Sequence, residues 1–252
     1  MNIHIVGAGV VGKATGKAFE RFGHSVVYTD KGDDHGAVRA DVHFICVPEQ
    51  VAPECVRQVA AGVKARKPTF EWEGEDIVIR STVPPGTTLA LAKELRLELL
   101  HNPEFLREAT AEQDVMTADR VLIGVTLPVM SAPSRLHTLY EPFRVPIYVA
   151  TSTETELAKL LTNAYLATLI SFWNEANGIT AAAGVNGHKV ARLAALDSRV
   201  SSYGYLFLGQ AYGGKCLPKD VAQLLAFAKQ DASLRTWLLS AVQDVNIALG
   251  GR

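Results

Sequence analysis

The chain has 252 residues, of which 48% are hydrophobic and 20% charged, and its formal net charge is −1 at pH 7. This composition is ordinary for a globular protein and excludes a disordered or fibrous chain. A net charge near zero gives no general attraction to nucleic acid or to an anionic membrane, so we expect neither as a partner. The three cysteines are an odd number and lack metal-ligand spacing. We therefore expect a cytoplasmic protein without a metal site.

Hydrophobic periodicity predicts that strands and helices alternate over residues 1–150. The predicted strands lie at 2–6, 25–29, 42–47, 77–81, 97–101, 121–126 and 146–150, and the predicted helices follow Gly7, surround 51–64 and cover 131–143. Asp41 comes only eleven positions after Asp30, so the second crossover must be reduced to about one helical turn or a loop. The pattern predicts a Rossmann-type, doubly wound, mostly parallel α/β domain.

A purely helical pattern replaces this alternation near residue 150. The segment 153–156 offers an N-cap and an acidic first turn, and helical spacing then continues to about Ala183. Shorter helices are predicted at 189–195, 220–230 and 233–248, with a loop rich in glycine and tyrosine at 201–215. We expect residues 151–252 to form an all-helical second domain with one long helix.

A glycine fingerprint lies between the first strand and the first helix, at Gly7-Ala8-Gly9-Val10-Val11-Gly12. The first glycine permits a tight turn, the second lets a pyrophosphate approach the backbone, and the third lets the helix pack on the strand. Asp30 ends the second strand, where its carboxylate would accept hydrogen bonds from ribose hydroxyls and repel a 2′-phosphate. Glycines that serve packing alone are the alternative. The combination favours NAD as the cofactor, with contacts from Gly7, Gly9, Val10, Val11, Gly12 and Asp30.

A second glycine-containing loop carries a cysteine, in Tyr212-Gly213-Gly214-Lys215-Cys216-Leu217-Pro218-Lys219-Asp220. Pro218 opens a helix directly after Cys216. A thiol at a helix N-terminus beside Lys215 and Lys219 should ionise more easily than an ordinary thiol, as covalent catalysis requires. From these residues alone, a buried cysteine in a tight turn remains the alternative.

Five separated motifs resemble those of the UDP-glucose/GDP-mannose dehydrogenase family, in the same order and with similar spacing. They are the glycine fingerprint, Ser81-Thr82-Val83-Pro84-Pro85-Gly86-Thr87, Asn102-Pro103-Glu104-Phe105-Leu106-Arg107-Glu108, the helix 156–175 with Lys159, Asn163 and Asn174-Glu175, and the loop 213–220. The resemblance implies an NAD-dependent, four-electron oxidation of the C6 alcohol of a nucleotide sugar, with UDP-glucose as the expected substrate. Cys216 would form a thiohemiacetal and then a thioester, which water would hydrolyse.

The resemblance also assigns roles to individual side chains. Lys159 and Asn163 lie four residues apart on one helical face and would stabilise the oxygen at C6. Glu104 would be the general base for hydrolysis, while Asp220 and Thr82 would position or activate water. Further cofactor contacts would come from Val47, Pro48 and Thr82. The sugar nucleotide would contact Glu104, Phe105, Leu106, Arg107, Lys159, Asn163, Arg199, Tyr205 and Gly213.

A homodimer is also expected. A long helix near 154–183 with an apolar face should pair with a second copy of the chain. Arg199 resembles an arginine that family members send into the site of the neighbouring subunit.

The sequence also departs from the family. It ends about where a third, nucleotide-binding-like domain begins in other members, and Ala109 and Ala211 replace two family glycines. The turn 47–50 lacks the usual threonine-proline ending. Two other functions therefore stay open, a binding homologue that serves as a scaffold without turnover and a hydroxyacid-type dehydrogenase with a single hydride transfer. Cys216 in its glycine loop argues against the second of these.

Overall fold

The computed structural model describes residues 1–66, 74–126, 135–214 and 216–251. Residues 131–134 of the predicted helix at 131–143, and Lys215 of the cysteine loop, lie outside the described residues. The chain forms two compact units, Met1–Lys159 and Leu160–Arg252, and the division falls within one long helix. No helix in the described ranges is long and apolar enough to cross a lipid bilayer.

The first unit is built on a sheet that has seven strands within the described residues. These are β1 (Asn2–Val6), β2 (Ser25–Thr29), β3 (Val42–Ile45), β4 (Asp76–Ile79), β5 (Leu100–His101), β6 (Val121–Val125) and β7 (Ile147–Thr151). Their order is β2-β1-β3-β4-β5-β6-β7, and among these pairs β5 and β6 run antiparallel while the others run parallel. The predicted Rossmann-type, mostly parallel architecture is confirmed.

Helices cover both faces of this sheet. They are α1 (Val10–Arg21), α2 (Ala52–Arg66), α3 (Thr87–Leu95), α4 (Ala111–Met116) and α5 (Arg135–Tyr140). Because side chains alternate along a strand, Ile3 and Ile5 of β1 pack into the layer of α1, α4 and α5. Val6 at the end of β1 instead packs into the layer of α2 and α3. Both faces of the central strands are therefore buried, as their nearly continuous apolar sequences predict.

The second crossover is as short as the spacing predicts, with one 3₁₀ turn at His35–Ala37. Helix α2 packs directly on this turn, since a Cβ atom built on Gly62 would lie 2.0 Å from the carbonyl oxygen of Gly36. The strand predicted at 97–101 is shorter in the structure. The amide of Leu97 still donates to the carbonyl of Ala92 at the end of α3, so β5 contains only its last two residues.

The second unit is helical throughout its described residues. The long helix α6 (Ser152–Ala182) begins in the first unit, and α7 (Gly187–Ala194), α8 (Leu217–Ala228) and α9 (Trp237–Ala248) follow it. The long helix is confirmed, and it begins two residues before and ends one residue before the predicted bounds. Helix α9 begins later than predicted, because the amide and hydroxyl of Ser233 both donate to Asp231 Oδ1 in a separate turn.

Candidate active site

The glycine fingerprint closes the junction of β1, β3 and α1. Gly7 follows β1 with a φ of +100°, and a Cβ atom there would lie 2.5 Å from the carbonyl oxygen of Cys46 after β3. A Cβ atom on Gly12 would lie 1.9 Å from the carbonyl oxygen of Gly7. Neither position accepts a side chain, so these two glycines are required for the fold itself.

Gly9 differs, because a Cβ atom there would meet nothing within 4 Å. It is the N-cap of α1, and its backbone is extended, with a φ of −74°. No side chain caps α1, and Val10 is exposed while Val11 is half-buried. Uncapped amides beside open space fit the pyrophosphate of a dinucleotide, which the helix dipole attracts.

The strand order places this turn at a topological switch point. From β1 the chain goes to β2 on one side and then crosses to β3 on the other. Ligands bind at the carboxyl ends of the strands at such a point. Val47 and Pro48 follow β3 there, and the Ser81 hydroxyl accepts from the amide of Val47 at 3.0 Å. Thr82, next along the chain and half-buried, therefore begins its loop at the same edge of the sheet.

Asp30 lies at the carboxyl end of β2 with an exposed side chain. Its amide donates to Asp33 Oδ2 at 2.7 Å, and its own Oδ1 accepts from the amide of Lys31 at 2.8 Å. The carboxylate is thus oriented by the backbone while still reachable by ribose hydroxyls, as the fingerprint predicts.

Glu104 and Lys159 form a buried ion pair in the first unit. Lys159 Nζ lies 3.4 Å from Glu104 Oε1, and the two side chains are 5% and 11% exposed. Glu104 Oε2 accepts from the amide of Leu106 at 2.7 Å, which fixes the carboxylate against its own loop. A cation and a carboxylate held this way can bind a developing alkoxide and activate water, respectively.

Phe105 contacts two cations. Its ring centroid is 5.2 Å from Lys159 Nζ and 4.3 Å from Arg120 Cζ, both within the range of a cation–π contact. Sequence reasoning missed Arg120, which follows a short helix and carries no recognisable motif. Hydrogen bonds also fix the backbone at Leu106 and Arg107. The Leu106 amide donates to Glu104 Oε2, and the Arg107 amide donates to Asp114 Oδ2 at 2.8 Å.

Asn163 and Asp220 meet in the second unit. Asn163 Nδ2 donates to Asp220 Oδ2 at 2.5 Å, and Lys219 Nζ lies 2.8 Å from Asp220 Oδ1. Asp220 stands in the first turn of α8, and its amide donates to the carbonyl of Cys216, the N-cap residue. Cys216 is exposed, and this corrects the alternative of a buried cysteine in a tight turn.

The glycine- and tyrosine-rich loop is tied to α6 by Asn174. Asn174 Nδ2 donates to the carbonyl of Gln210, and its Oδ1 accepts from the amide of Gly209, each at 2.7 Å. The Tyr205 ring packs edge-on to Trp173 at a centroid distance of 5.7 Å. Gly213 is exposed, and a Cβ atom there would meet nothing within 4 Å.

Arg199, another predicted site residue, forms an ion pair with Asp197 of its own loop. Its guanidinium lies 2.6 Å from Asp197 Oδ2, and its side chain is 88% exposed. The structure thus brings together Glu104, Phe105 and Lys159 in one unit and Asn163 with Asp220 in the other. Arg199 joins neither group.

Known proteins resemble this chain across both units. Residues 33–144 match the NAD binding domain of the UDP-glucose/GDP-mannose dehydrogenase family, and residues 153–248 match its central domain. The UDP-glucose 6-dehydrogenase of Rhizobium meliloti (strain 1021) is 31% identical over an alignment of 296 residues, gaps included. The alignment covers 98% of this chain and 67% of that protein.

Solved structures give the same relationship. A UDP-glucose dehydrogenase from the hyperthermophilic archaeon Pyrobaculum islandicum has a TM-score of 0.85 and 27% identity, and the match covers 98% of this chain and 68% of that chain. The 3-hydroxyisobutyrate dehydrogenase of Mycobacterium tuberculosis has a TM-score of 0.77 at 14% identity over 99% of this chain and 93% of its own, which shows a shared fold only.

The chain spans about two thirds of the length of the UDP-glucose dehydrogenases described above. Its first unit matches a NAD binding domain and carries the fingerprint geometry, so its cofactor is NAD. The two domain matches and the similarity over nearly the whole sequence have one explanation. This chain belongs to the UDP-glucose/GDP-mannose dehydrogenase family.

Proposed function

We propose that the protein oxidises the C6 alcohol of a nucleotide sugar to a carboxylate in two successive NAD-dependent steps. UDP-glucose is the proposed substrate and UDP-glucuronate the product. The observation that carries this proposal is the buried Lys159–Glu104 pair, which provides a cation for the C6 oxygen and a base for water in one place. The names of similar proteins, among them the Rhizobium meliloti enzyme, support the choice of sugar.

In the first oxidation the chain's own groups hold the C6 oxygen and position the water that receives its proton. Lys159 and Asn163 donate hydrogen bonds to the C6 oxygen, and water positioned by Thr82 and Asp220 takes up the hydroxyl proton. NAD⁺, when bound, accepts the hydride in each oxidation. The first step leaves an aldehyde at C6.

Cys216 then makes the second oxidation possible. Its thiolate, favoured by the N-terminus of α8, adds to the aldehyde carbon and forms a thiohemiacetal. Loss of a hydride and a proton converts this adduct into a thioester. Glu104 deprotonates a water molecule that attacks the thioester carbon, the carbon–sulfur bond breaks, and the carboxylate and the thiol are released.

The remaining predicted residues serve binding. We propose that residues 1–150 bind NAD through Gly7, Gly9, Val10, Val11, Gly12, Asp30, Val47 and Pro48, and that residues 151–252 carry the cysteine loop. Phe105, Leu106, Arg107, Tyr205 and Gly213 contact the sugar nucleotide. Arg199 contacts it from the partner of a homodimer that pairs through α6.

The stoichiometry of NADH tests the reaction. Purified protein is incubated with NAD⁺ and a panel of UDP- and GDP-sugars, and NADH formed per sugar consumed is counted. The proposal requires two NADH per sugar. One NADH per sugar would instead indicate a single-hydride dehydrogenase, and NAD⁺ binding without turnover would indicate a scaffold.

Substitution of the proposed nucleophile tests the covalent step. We expect Cys216→Ser to lose the steady-state four-electron reaction by more than about 1,000-fold, because a serine hydroxyl is a far weaker nucleophile at neutral pH. Cys55→Ser, a change at a buried cysteine of α2, serves as the control. Full turnover by Cys216→Ser would exclude the thioester route.

A further inference from the structure

Glu156 is a carboxylate buried in the first turns of α6 and is 1% exposed. Its Oε2 accepts from the amide of Gly86 at 2.5 Å, and its Oε1 accepts from the amide and the hydroxyl of Thr88 at 2.8 and 2.6 Å. Burial raises the pKa of Glu156, whereas these three hydrogen bonds favour the charged form. A carboxylate is seldom buried unless its oxygens accept hydrogen bonds, so these three contacts are what allow Glu156 to be buried.

The three donors belong to the N-terminus of another helix. Helix α3 starts after Gly86, its N-cap residue, which has a φ of +88° and no side chain to cap the helix. Glu156 supplies the missing cap from a distant point in the sequence, and its charge faces the positive end of the α3 dipole. The loop that leads from Thr82 to Gly86 is thereby attached to α6.

Lys159 lies three positions after Glu156, so the two side chains are neighbours on the helix surface. A second contact fixes the same turn. The Thr155 hydroxyl donates to the carbonyl of Ser152 and therefore accepts from His101 Nδ1, at 2.7 Å. The Lys159 ammonium lies 3.4 Å from the Glu104 carboxylate and 5.2 Å from the centroid of the Phe105 ring. The contacts of Glu156 and Thr155 fix the helical turn from which Lys159 projects.

We propose that Glu156 is a positioning residue that locks the first turns of α6 to the N-terminus of α3 and so holds Lys159 in register with Glu104 and the Thr82 loop. The inference deepens the proposed function and rests on it for the role of Lys159. Glu156 does not touch the reacting atoms. It acts through the geometry of the side chains that do.

Glu156→Gln is the principal test. A glutamine presents an amide NH₂ to one of the three donors, so at least one hydrogen bond is replaced by a repulsive contact. We expect kcat for sugar oxidation to fall about 10- to 100-fold, since a displacement of about 1 Å at a reacting group costs about that much. KM for NAD⁺ should stay within about twofold. Glu154→Gln, the same substitution at an exposed position of the same turn, should change neither constant.

A double substitution separates positioning from general stability. If Glu156 acts through Lys159, Glu156→Gln should cause no further loss of kcat in a Lys159→Ala background. Losses that multiply, or a Glu156→Gln enzyme within twofold of the original kcat, would overturn the proposal. If the Glu156→Gln protein does not fold, Thr88→Val takes its place in the same comparison. Thr88→Val removes one of the three hydrogen bonds to Glu156, so we expect a smaller loss of kcat.

A readout independent of turnover distinguishes failure of this inference from failure of the proposed function. Competitive acylation with acetic anhydride, followed by peptide mass spectrometry, measures the reactivity of Lys159 even if no sugar is oxidised. We expect Lys159 to be protected in the original protein and in Glu154→Gln, and to be labelled several-fold faster in Glu156→Gln. Equal labelling in all three proteins would overturn the assignment.

Discussion

His4 and His101 are fully buried in the sheet, and burial is the main reason that the pKa of each falls to about 3. His4 belongs to a chain of polar side chains that crosses three strands. Its Nε2 lies 2.8 Å from Thr29 Oγ1 and its Nδ1 lies 2.9 Å from His43 Nδ1, while His43 Nε2 contacts Glu75 at 2.9 Å. Electrostatic interactions with His43, His35 and Arg66 lower the pKa of His4 further. His4 and His101 are therefore neutral in the folded protein at neutral pH.

The protein should therefore lose stability as the pH falls from 6.5 toward 3. In that window the unfolded chain binds a proton at each of the two histidines and the folded chain does not, so each contributes a slope of up to about 1.4 kcal/mol per pH unit. Glu75 adds to the loss below about pH 4.5, because hydrogen bonds from His43 and Arg66 outweigh burial and lower its pKa to about 2. Urea unfolding midpoints at pH 7.5, 6.0 and 5.0 measure the slope.

An exposed histidine provides the control. His188→Gln should leave the slope unchanged, because His188 is exposed and takes no part in the buried network. An urea midpoint that does not move between pH 7.5 and 5.0 would contradict the neutral, buried state of His4 and His101.

Sequence reasoning identified residues but not their contacts. Glu104 and Lys159 were both predicted, yet their ion pair joins positions 55 residues apart and depends on how α6 meets the sheet. Glu156 and Arg120 were not singled out, because a charged residue in a helix or loop is by default a solvated one. Only the tertiary structure shows that Glu156 is buried against another helix.

At the scale of elements, glycine has two different roles in the strand–turn–helix of the fingerprint. Gly12 allows the helix to pack on the strand, and Gly9 leaves space for the cofactor. Gly12→Ala should destabilise the fold by about 1–3 kcal/mol, because its Cβ atom would overlap the backbone of Gly7. Gly9→Ala should leave thermal unfolding unchanged, since the position is open and the backbone there suits any residue. It should nevertheless weaken NAD⁺ binding by about tenfold or more, because a methyl group fills the space that a pyrophosphate requires.

Thermal unfolding and NAD⁺ titration of both variants check this pair. If Gly9→Ala bound NAD⁺ as tightly as the original protein, the pyrophosphate would have to approach elsewhere. A stable Gly12→Ala would mean that α1 can shift away from β1.

Most strands and the longer helices were predicted within a few residues, whereas the shortest elements were missed or predicted too long. Helix α6, with 31 residues, presents many turns of one pattern, whereas α4 has 6 residues and β5 has 2. An element this short contains fewer than two periods of its hydrophobic pattern. Whether it forms is therefore decided by the elements that pack against it. Helix α3 was missed for another reason, since its cap lies on Glu156 and not in its own sequence.

At the scale of the whole molecule, α6 carries an apolar stripe that the second unit leaves exposed. Leu161, Tyr165, Phe172 and Ile179 are each more than half exposed, and their spacing places them on one helical face. We expect Phe172→Glu to shift the proposed homodimer to a monomer in size-exclusion chromatography with light scattering, because a charge cannot be buried in an apolar interface without a partner.

Val27→Glu is the control for this substitution. Val27 is 51% exposed, lies in β2 rather than in α6 and should not affect the oligomeric state. A wild-type protein that elutes as a monomer at micromolar concentration would exclude α6 as a stable interface. The change from an alternating to a purely helical pattern near residue 150 is readable in the sequence, whereas an interface depends on a surface that no single sequence pattern identifies.

The network of buried imidazoles includes Thr29, whose hydroxyl contacts both His4 and His35 and which directly precedes Asp30, the proposed ribose ligand. We expect a nucleotide bound at Asp30 to change the electric field at His35 and His4. The protein has seven histidines in total, so their imidazole nitrogens would give a sparse ¹⁵N NMR spectrum. Those signals should then report dinucleotide occupancy in solution without an introduced label and without a substrate that is being turned over.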